Sequence, residues 1–171
     1  MKKNLLDSFR KIYLDMNNLS SYRNYYNALR LWVKKNSKYF DKEIQSQTRL
    51  KILLDLDLDK YLVSSPDISL DMEKKRMDNI DLSSINIMLM IICDTLWDMV
   101  TIRSDKNCLN CGDGDFRYIK VNWDEHSDGK IILECSICGD VINVDGSEFN
   151  EKIECYYPAC KKDIIQNLIE L

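Results

Sequence analysis

The chain has 171 residues, of which 45% are apolar and 30% are charged, an ordinary balance for a globular protein with a core. Only 5 glycines and 2 prolines are present, which is little turn material for an all-β fold and favours long helices. The formal net charge of −4 is uneven: residues 1–51 carry +8, whereas residues 52–105 and residues 106–171 carry −6 each. This asymmetry predicts that one end faces an anionic surface and the rest a basic one, or that the two ends attract each other.

Neither a signal peptide nor a membrane span is predicted. Asp7 interrupts the first apolar stretch before a signal-peptide core could form. The longest apolar run, "IMLMIIC" at residues 87–93, is far shorter than the roughly 20 residues that cross a bilayer. We therefore expect a soluble, cytoplasmic protein with no membrane partner. In that reducing compartment, the 7 cysteines are expected to be metal ligands or buried thiols.

The first 105 residues predict an α-helical domain. The first helix has apolar residues three and four positions apart on one face; these are Leu5, Phe9, Ile12, Tyr13 and Met16. A second helix, residues 22–35, is expected to follow an N-cap at Ser20 or Ser21. Its apolar arc is narrow enough to face a core; it comprises Tyr22, Tyr25, Tyr26, Leu29, Trp32 and Val33.

The following segment is ambiguous, because residues 52–59 alternate apolar and acidic side chains as a strand does, within surroundings that look helical. Pro66 predicts a loop. Ser83 or Ser84 is then expected to cap a strongly apolar central helix that reaches residue 103. On that helix Asp94, Asp98 and Thr101 form a narrow polar stripe, and Cys93 is expected in the core.

After Arg103 the pattern becomes β-rich, with strands expected at residues 116–123, 130–135 and 140–144. Residues 151–171 predict a C-terminal extension and a helix that packs back on the body. The predicted fold class is thus α+β, with an N-terminal helical bundle (1–105), a small antiparallel β unit (106–150) and the C-terminal extension (151–171).

Two matched motifs, "CLNCGDGDF" and "CSICGDVIN", share the pattern C-x-x-C-G-D, with 23 residues between Cys111 and Cys135. The two-residue spacer lets both sulfurs of one turn reach the same ion, and the glycine permits a sharp turn with positive φ. Cys108, Cys111, Cys135 and Cys138 are therefore predicted to form a tetrahedral four-sulfur site for one structural Zn²⁺. Iron is the other metal that such turns bind, but nothing else in the sequence resembles an electron carrier.

Residues 108–145 resemble a zinc ribbon, about a fifth of the chain. The resemblance implies two cysteine turns, or knuckles, that clamp the metal at one end of an antiparallel sheet of about three strands. A closed four-sulfur site leaves no position for a catalytic water. Cys155 and Cys160 could belong to a second metal site, but their four-residue spacer fits no common knuckle, and packed thiols beside Tyr156 and Tyr157 are the simpler interpretation.

No catalytic motif is found, and Asp94 with Asp98 lacks any accompanying nucleophile or base, so we expect no enzyme, no catalytic residues and no small-molecule substrate. Two functions remain. The first is a protein-binding module that uses acidic side chains to bind a basic protein; the candidates are Asp113, Asp115, Asp124, Glu125, Asp128, Asp140 and Asp145. In general type the chain resembles the immunity proteins that neutralise bacterial toxins, which implies a toxin as the partner.

The alternative is a nucleic-acid-binding or transcription regulator that uses the basic region 1–51. Arg23, Arg30 and Lys34 lie close together on the second helix and could bind phosphates. Against this alternative, the aromatic rings of that helix map to its apolar arc, and residues 106–171 would repel phosphates. Charge complementarity favours the protein partner.

Overall fold

The structure, a computed structural model, describes residues 2–15, 20–42, 48–66, 85–122 and 129–169. The helices are α1 (Lys2–Tyr13), α2 (Tyr22–Asn36), α3 (Thr48–Asp55), α4 (Ile85–Val100) and α5 (Lys161–Ile169). The strands are β1 (Ile102–Asn107), β2 (Asp115–Val121), β3 (Lys130–Cys135), β4 (Val141–Asn143) and β5 (Tyr156–Pro158). Helices at both ends of the chain and an antiparallel sheet confirm the α+β prediction. No helix in the described ranges is both long and apolar enough to span a bilayer.

The chain divides into two compact units. The helical unit comprises Met1–Leu58 and Val63–Met99, and the sheet unit comprises Asp59–Leu62 and Val100–Leu171. Strand β1 begins at Ile102, within the range that the sequence assigned to helices. Within the sheet unit, Ile164 of α5 packs with Ile131 of β3 and with Ala159.

Aromatic side chains form the core between α1 and α2. Leu5, Phe9 and Tyr13 recur every four residues, so they share a face, and all three are buried. The Phe9 ring lies 5.4 Å from the Trp32 ring of α2. The predicted arc of α2 is buried from Tyr25 to Val33, but Tyr22, at the first position of the helix, remains 44% exposed. Ile12 is half-buried, and Met16 lies outside the described residues.

Local hydrogen bonds fix the start of α2 and its position in the helical unit. The Ser21 hydroxyl accepts from the Asn24 backbone N–H at 3.2 Å, which confirms the predicted N-cap. The buried Tyr25 hydroxyl donates to the Tyr13 carbonyl at 2.7 Å, and the Tyr26 hydroxyl donates to the Leu53 carbonyl at 2.8 Å. Buried hydroxyls need such partners, and these bonds connect α2 with α1 and α3.

The ambiguous residues 52–59 are helical only as far as Asp55. Helix α3 ends at Asp55, and Leu58–Lys60 form a short 3₁₀ turn. The alternating pattern arises because Leu56 and Leu58 point into the core while Asp57 and Asp59 remain exposed. A strand is not needed to explain it.

Helix α4 is apolar on most of its surface and is buried as predicted, including Cys93, whose thiol pKa is raised to about 12 by burial. The expected polar stripe is only partly correct, because Asp94 is exposed but Asp98 is half-buried. Thr101 is buried just beyond the helix. The exposed face instead runs through Ile87, Met90 and Asp94. Ser83 and Ser84, the predicted caps, lie outside the described residues.

The sheet has the strand order β1–β2–β3–β4, and β5 also pairs with β2. Strand β3 occupies one edge of β2 from Phe116 to Val121. The other edge is shared, since β1 pairs along its first half and β5 pairs with Ile119 to Val121. The three predicted strands are present, but the expected sheet of about three strands is corrected to five. The sequence "IRSDKN" of β1 and the three residues of β5 carry too weak a strand pattern to be recognised.

Candidate metal centre

The strand connections place all four motif cysteines at one end of the sheet. Cys108 follows β1 directly, and the first knuckle then leads into β2. Cys135 is the last residue of β3, and the second knuckle leads into β4. Since Phe116 at the start of β2 pairs with Cys135 at the end of β3, the two knuckles meet.

The knuckles have matching backbone hydrogen bonds. In the first, the Gly112 N–H donates to the Cys108 carbonyl at 3.0 Å, and in the second the Gly139 N–H donates to the Cys135 carbonyl at 3.2 Å. Both glycines have positive φ, +76° and +72°, which is the left-handed conformation that glycine adopts without steric cost. The predicted reason for the glycine in C-x-x-C-G is therefore confirmed at both sites.

The four cysteine sulfurs lie within 4.8 Å of one another. The Cys108 and Cys138 sulfurs are 3.6 Å apart, and the Cys111 and Cys135 sulfurs are 3.7 Å apart. Four sulfurs at about 2.3 Å from a tetrahedral ion would be about 3.8 Å from each other, so these separations fit one metal ion. Among the described residues, this is the one group of three or more cysteine, histidine or acidic side chains with such a spacing.

The sulfurs also influence each other's ionisation. Burial raises the pKa of the Cys135 thiol, but hydrogen bonds from the backbone N–H groups of Cys138 and Ile137 and from the Cys138 and Cys108 thiols together lower it to about 7. The Asp140 backbone N–H lowers the pKa of Cys138, yet desolvation and the three neighbouring sulfurs raise it to about 12. The Cys135 thiolate thus forms readily, whereas the Cys138 thiolate requires a cation among the sulfurs.

The four-sulfur site is buried on one side and exposed to solvent on the other. Cys108 and Cys135 are buried against Phe116 and Leu133, whereas Cys138 is exposed. Four protein ligands would fill a tetrahedral coordination shell, with no position left for water or substrate. This arrangement suits a structural metal ion.

Gly114 belongs to the site although the sequence analysis did not single it out. A Cβ at this position would overlap the Cys135 sulfur and would lie 3.2 Å from the Cys111 sulfur. The Gly114 carbonyl also accepts from the Cys108 N–H at 2.8 Å, which closes the first knuckle. The available signal was the second glycine of "CGDGDF", in a chain with only 5 glycines.

Cys155 and Cys160 do not join a metal cluster among the described residues. Both are half-buried, and the Cys160 backbone N–H donates to Asp163 at 2.9 Å at the start of α5. Burial and Asp163 raise the pKa of the Cys160 thiol. Packed thiols, the simpler interpretation, describe their environment. His126 lies outside the described residues.

The predicted acidic partner residues fall into separate places. Asp113 and Asp140 follow the two knuckle glycines, and Asp113 is exposed. Asp115 pairs with Arg103 at 3.5 Å, and Asp145 accepts from the Ser147 N–H and hydroxyl, which lower the pKa of Asp145. Three of the predicted residues lie outside the described ranges: Asp124, Glu125 and Asp128.

The basic residues of the nucleic-acid alternative contact their own unit. Arg23 donates to the Leu58 carbonyl at 2.7 Å, and Arg30 donates to the Leu56 carbonyl at 3.1 Å. Lys34 forms an ion pair of 2.9 Å with Asp55. These contacts hold the segment after α3 against α2.

No protein-family model matches the chain, and no curated protein or solved structure matches it either. A function must therefore be inferred from the geometry and chemistry of the four sulfurs.

Proposed function

We propose that the chain is a non-enzymatic protein-binding module in which a zinc ribbon, held by one structural Zn²⁺, presents an acidic surface to a basic protein. The most specific form of this proposal is an inhibitor of the immunity or antitoxin type, whose partner is a basic toxin. The four-sulfur cluster beside Asp113 and Asp140 is the observation that carries it.

Zinc is the metal that best suits the donor set. Four thiolates in a tetrahedral arrangement are the usual ligands of structural Zn²⁺, and a filled shell supports folding and excludes hydrolytic chemistry. In this role the ion would hold together the ends of β1, β2, β3 and β4, because each knuckle connects two strands. We expect a reducing compartment such as the cytoplasm, where the thiols stay free to bind the metal.

Metal analysis tests this part of the proposal. Purified chain should contain one zinc per molecule, and Cys135→Ser should lose it. Cys155→Ser is the matched control, since Cys155 is a half-buried cysteine outside the cluster, and it should keep the zinc. Full zinc content in Cys135→Ser would contradict a four-sulfur site.

The charge distribution supports a basic partner. Zn²⁺ with four thiolates has a net charge of about −2, which adds to the acidic side chains of the sheet unit. Such a field attracts basic proteins and repels nucleic acid. The alternative nucleic-acid function gains no specific support, because Arg23 and Arg30 already donate to backbone carbonyls within the helical unit.

A pull-down from the native cells distinguishes the two functions. Tagged chain should recover a basic polypeptide whether or not nuclease is added, and Asp113→Lys with Asp140→Lys should abolish recovery. The opposite charge reversal uses Lys35 and Lys38, exposed residues of the basic region 1–51, because reversing Arg23 or Arg30 would also remove their hydrogen bonds to backbone carbonyls. Recovery of nucleic acid alone, lost in Lys35→Glu with Lys38→Glu, would contradict the proposal. For an inhibitor, coexpression should also restore growth to cells that produce the recovered polypeptide.

A further inference from the structure

Each knuckle exposes one large apolar side chain. Leu109 is 98% exposed and Ile137 is 64% exposed. Both lie between the two cysteines of a C-x-x-C turn, where the sulfurs turn inward and the intervening residues turn outward. Because the adjacent Cys108 and Cys138 sulfurs are only 3.6 Å apart, Leu109 and Ile137 project from neighbouring turns of one site. An exposed leucine or isoleucine leaves unused the free energy of its burial, which contact with a partner would recover.

The same end of the sheet is anionic. The loaded site contributes a net charge of about −2, and Asp113 and Asp140 occupy the equivalent position after each knuckle glycine. The sequence has no lysine or arginine at residues 107–116 or 131–151. The nearby Lys106 Nζ donates to the Val144 carbonyl at 2.6 Å, which holds this ammonium group beside β4. Together these side chains form the knuckle surface: Leu109, Asp113, Ile137 and Asp140.

The knuckle surface lies far from the other end of the β2–β3 hairpin. Phe116 pairs with Cys135 at the knuckle end, and Val121 pairs with Lys130 at the opposite end. The two pairs are five residue steps apart along the strand, about 17 Å at roughly 3.3 Å per residue. Charge changes at the two ends of the hairpin can therefore be tested independently.

We infer that the knuckle surface is the docking site for the basic partner, with Leu109 and Ile137 as apolar anchors and Asp113 and Asp140 as the anionic rim. This inference rests on the proposed function and adds the place of contact. The partner should present an apolar pocket or an amphipathic helix whose apolar face is bordered by lysine or arginine. Apolar anchors inside a charged rim are the arrangement that concentrates binding energy in protein interfaces.

Two synthetic peptides of equal positive charge test the inference on the zinc-loaded chain. One is an amphipathic leucine–lysine helix of about 14 residues, and the other replaces each leucine with glycine. Titration into ¹⁵N-labelled chain, at about 150 mM salt, gives both the affinity and the amides that shift. We expect the leucine peptide to bind about tenfold more tightly than the glycine peptide, with shifts at residues 109–113 and 136–140.

Substitutions then identify the anchors. Leu109→Ser with Ile137→Ser should remove the advantage of the leucine peptide without changing the affinity for the glycine peptide. Both side chains are exposed, so the variant should keep its fold, which an unchanged cobalt spectrum would verify. Asp113→Asn with Asp140→Asn should weaken both peptides, whereas Glu151→Gln with Glu154→Gln, outside the knuckle surface, should affect neither by more than about twofold.

The outcomes separate the inference from the proposed function. Binding of both peptides with shifts away from the knuckles, or an unchanged advantage in Leu109→Ser with Ile137→Ser, would overturn the docking site and leave a basic partner standing. If neither peptide binds, both the docking site and the basic partner are overturned. An oligothymidylate that shifts the same amides would assign the surface to nucleic acid. Concentration-dependent dimerisation that Leu109→Ser abolishes would assign it to a second copy of the chain.

Discussion

Gly112 and Gly114 stand two residues apart in the first knuckle, and the structure gives them different reasons for lacking a side chain. Within the described part of the chain, a Cβ at Gly112 meets no atom within 4 Å, so only its φ of +76° opposes alanine. That left-handed conformation costs about 1–2 kcal/mol for alanine, and reduced freedom of the unfolded chain returns about 0.4–1 kcal/mol. Gly112→Ala should therefore lower the free energy of unfolding by about 1 kcal/mol and change zinc affinity by less than about threefold.

Gly114→Ala should act on the metal instead. Gly114 does not have the positive φ of its neighbour, so its backbone accepts alanine, but the new Cβ overlaps the Cys135 sulfur. Relief of that overlap requires a sulfur movement of about 1–2 Å, since non-bonded atoms rest about 3.5–4.0 Å apart. Metal–sulfur distances tolerate only about 0.2 Å. We expect zinc affinity to fall at least about 100-fold, or roughly 2.8 kcal/mol at 1.4 kcal/mol per factor of ten.

The assay is competition for zinc with a chromophoric chelator, under reducing conditions at neutral pH, for wild type and both variants. Cobalt substitution adds a direct readout, because four tetrahedral thiolates give intense visible and charge-transfer bands. Weakened bands in Gly114→Ala and normal bands in Gly112→Ala are expected. A normal four-thiolate spectrum in Gly114→Ala, with zinc affinity within about threefold of Gly112→Ala, would refute the steric reasoning.

Three other predictions concern stability. The pKa of Asp163 is lowered below its ordinary 3.8, because Cys160 and Lys120 favour the carboxylate more than its burial disfavours it. Its stabilisation is thus present above pH 3.8 and is lost as the pH falls below that value. Asp163→Asn should lower the free energy of unfolding by about 1.5–3 kcal/mol at neutral pH. In urea unfolding, the variant should also lose less of this free energy than the wild type as the pH falls below 3.8; an equal loss would contradict this. Tyr26→Phe leaves the Leu53 carbonyl without its donor and should cost about 1–3 kcal/mol in urea unfolding, whereas the exposed Tyr22→Phe should cost less than about 0.5 kcal/mol. Removing the metal with a chelator should abolish hydrogen-exchange protection at Ile131–Leu133 of β3 and leave α2 protected; equal loss in both units would show that the ion supports the whole fold.

The sequence alone was sufficient wherever the determining interaction is local. Ser21 lies three residues before the N–H that it caps, and the apolar arc of α2 follows from helical periodicity. The four cysteines were identifiable because a two-residue spacer is itself the geometry of a knuckle. The positive φ at Gly112 and Gly139 was likewise implied by the turn that each motif requires.

Tertiary structure decided what depends on residues far apart in the chain. Strands β1 and β5 exist because the free edge of β2 offers unpaired backbone groups, a condition that their own residues do not encode. Residues 56–59 alternate because Leu56 and Leu58 reach a core, while Arg23 and Arg30 bind the carbonyls of that segment. Gly114 became a constraint only when folding brought the Cys135 sulfur against it. Periodicity and turn chemistry depend on residues close together in the chain, whereas contacts across the fold are determined only when distant segments pack against each other.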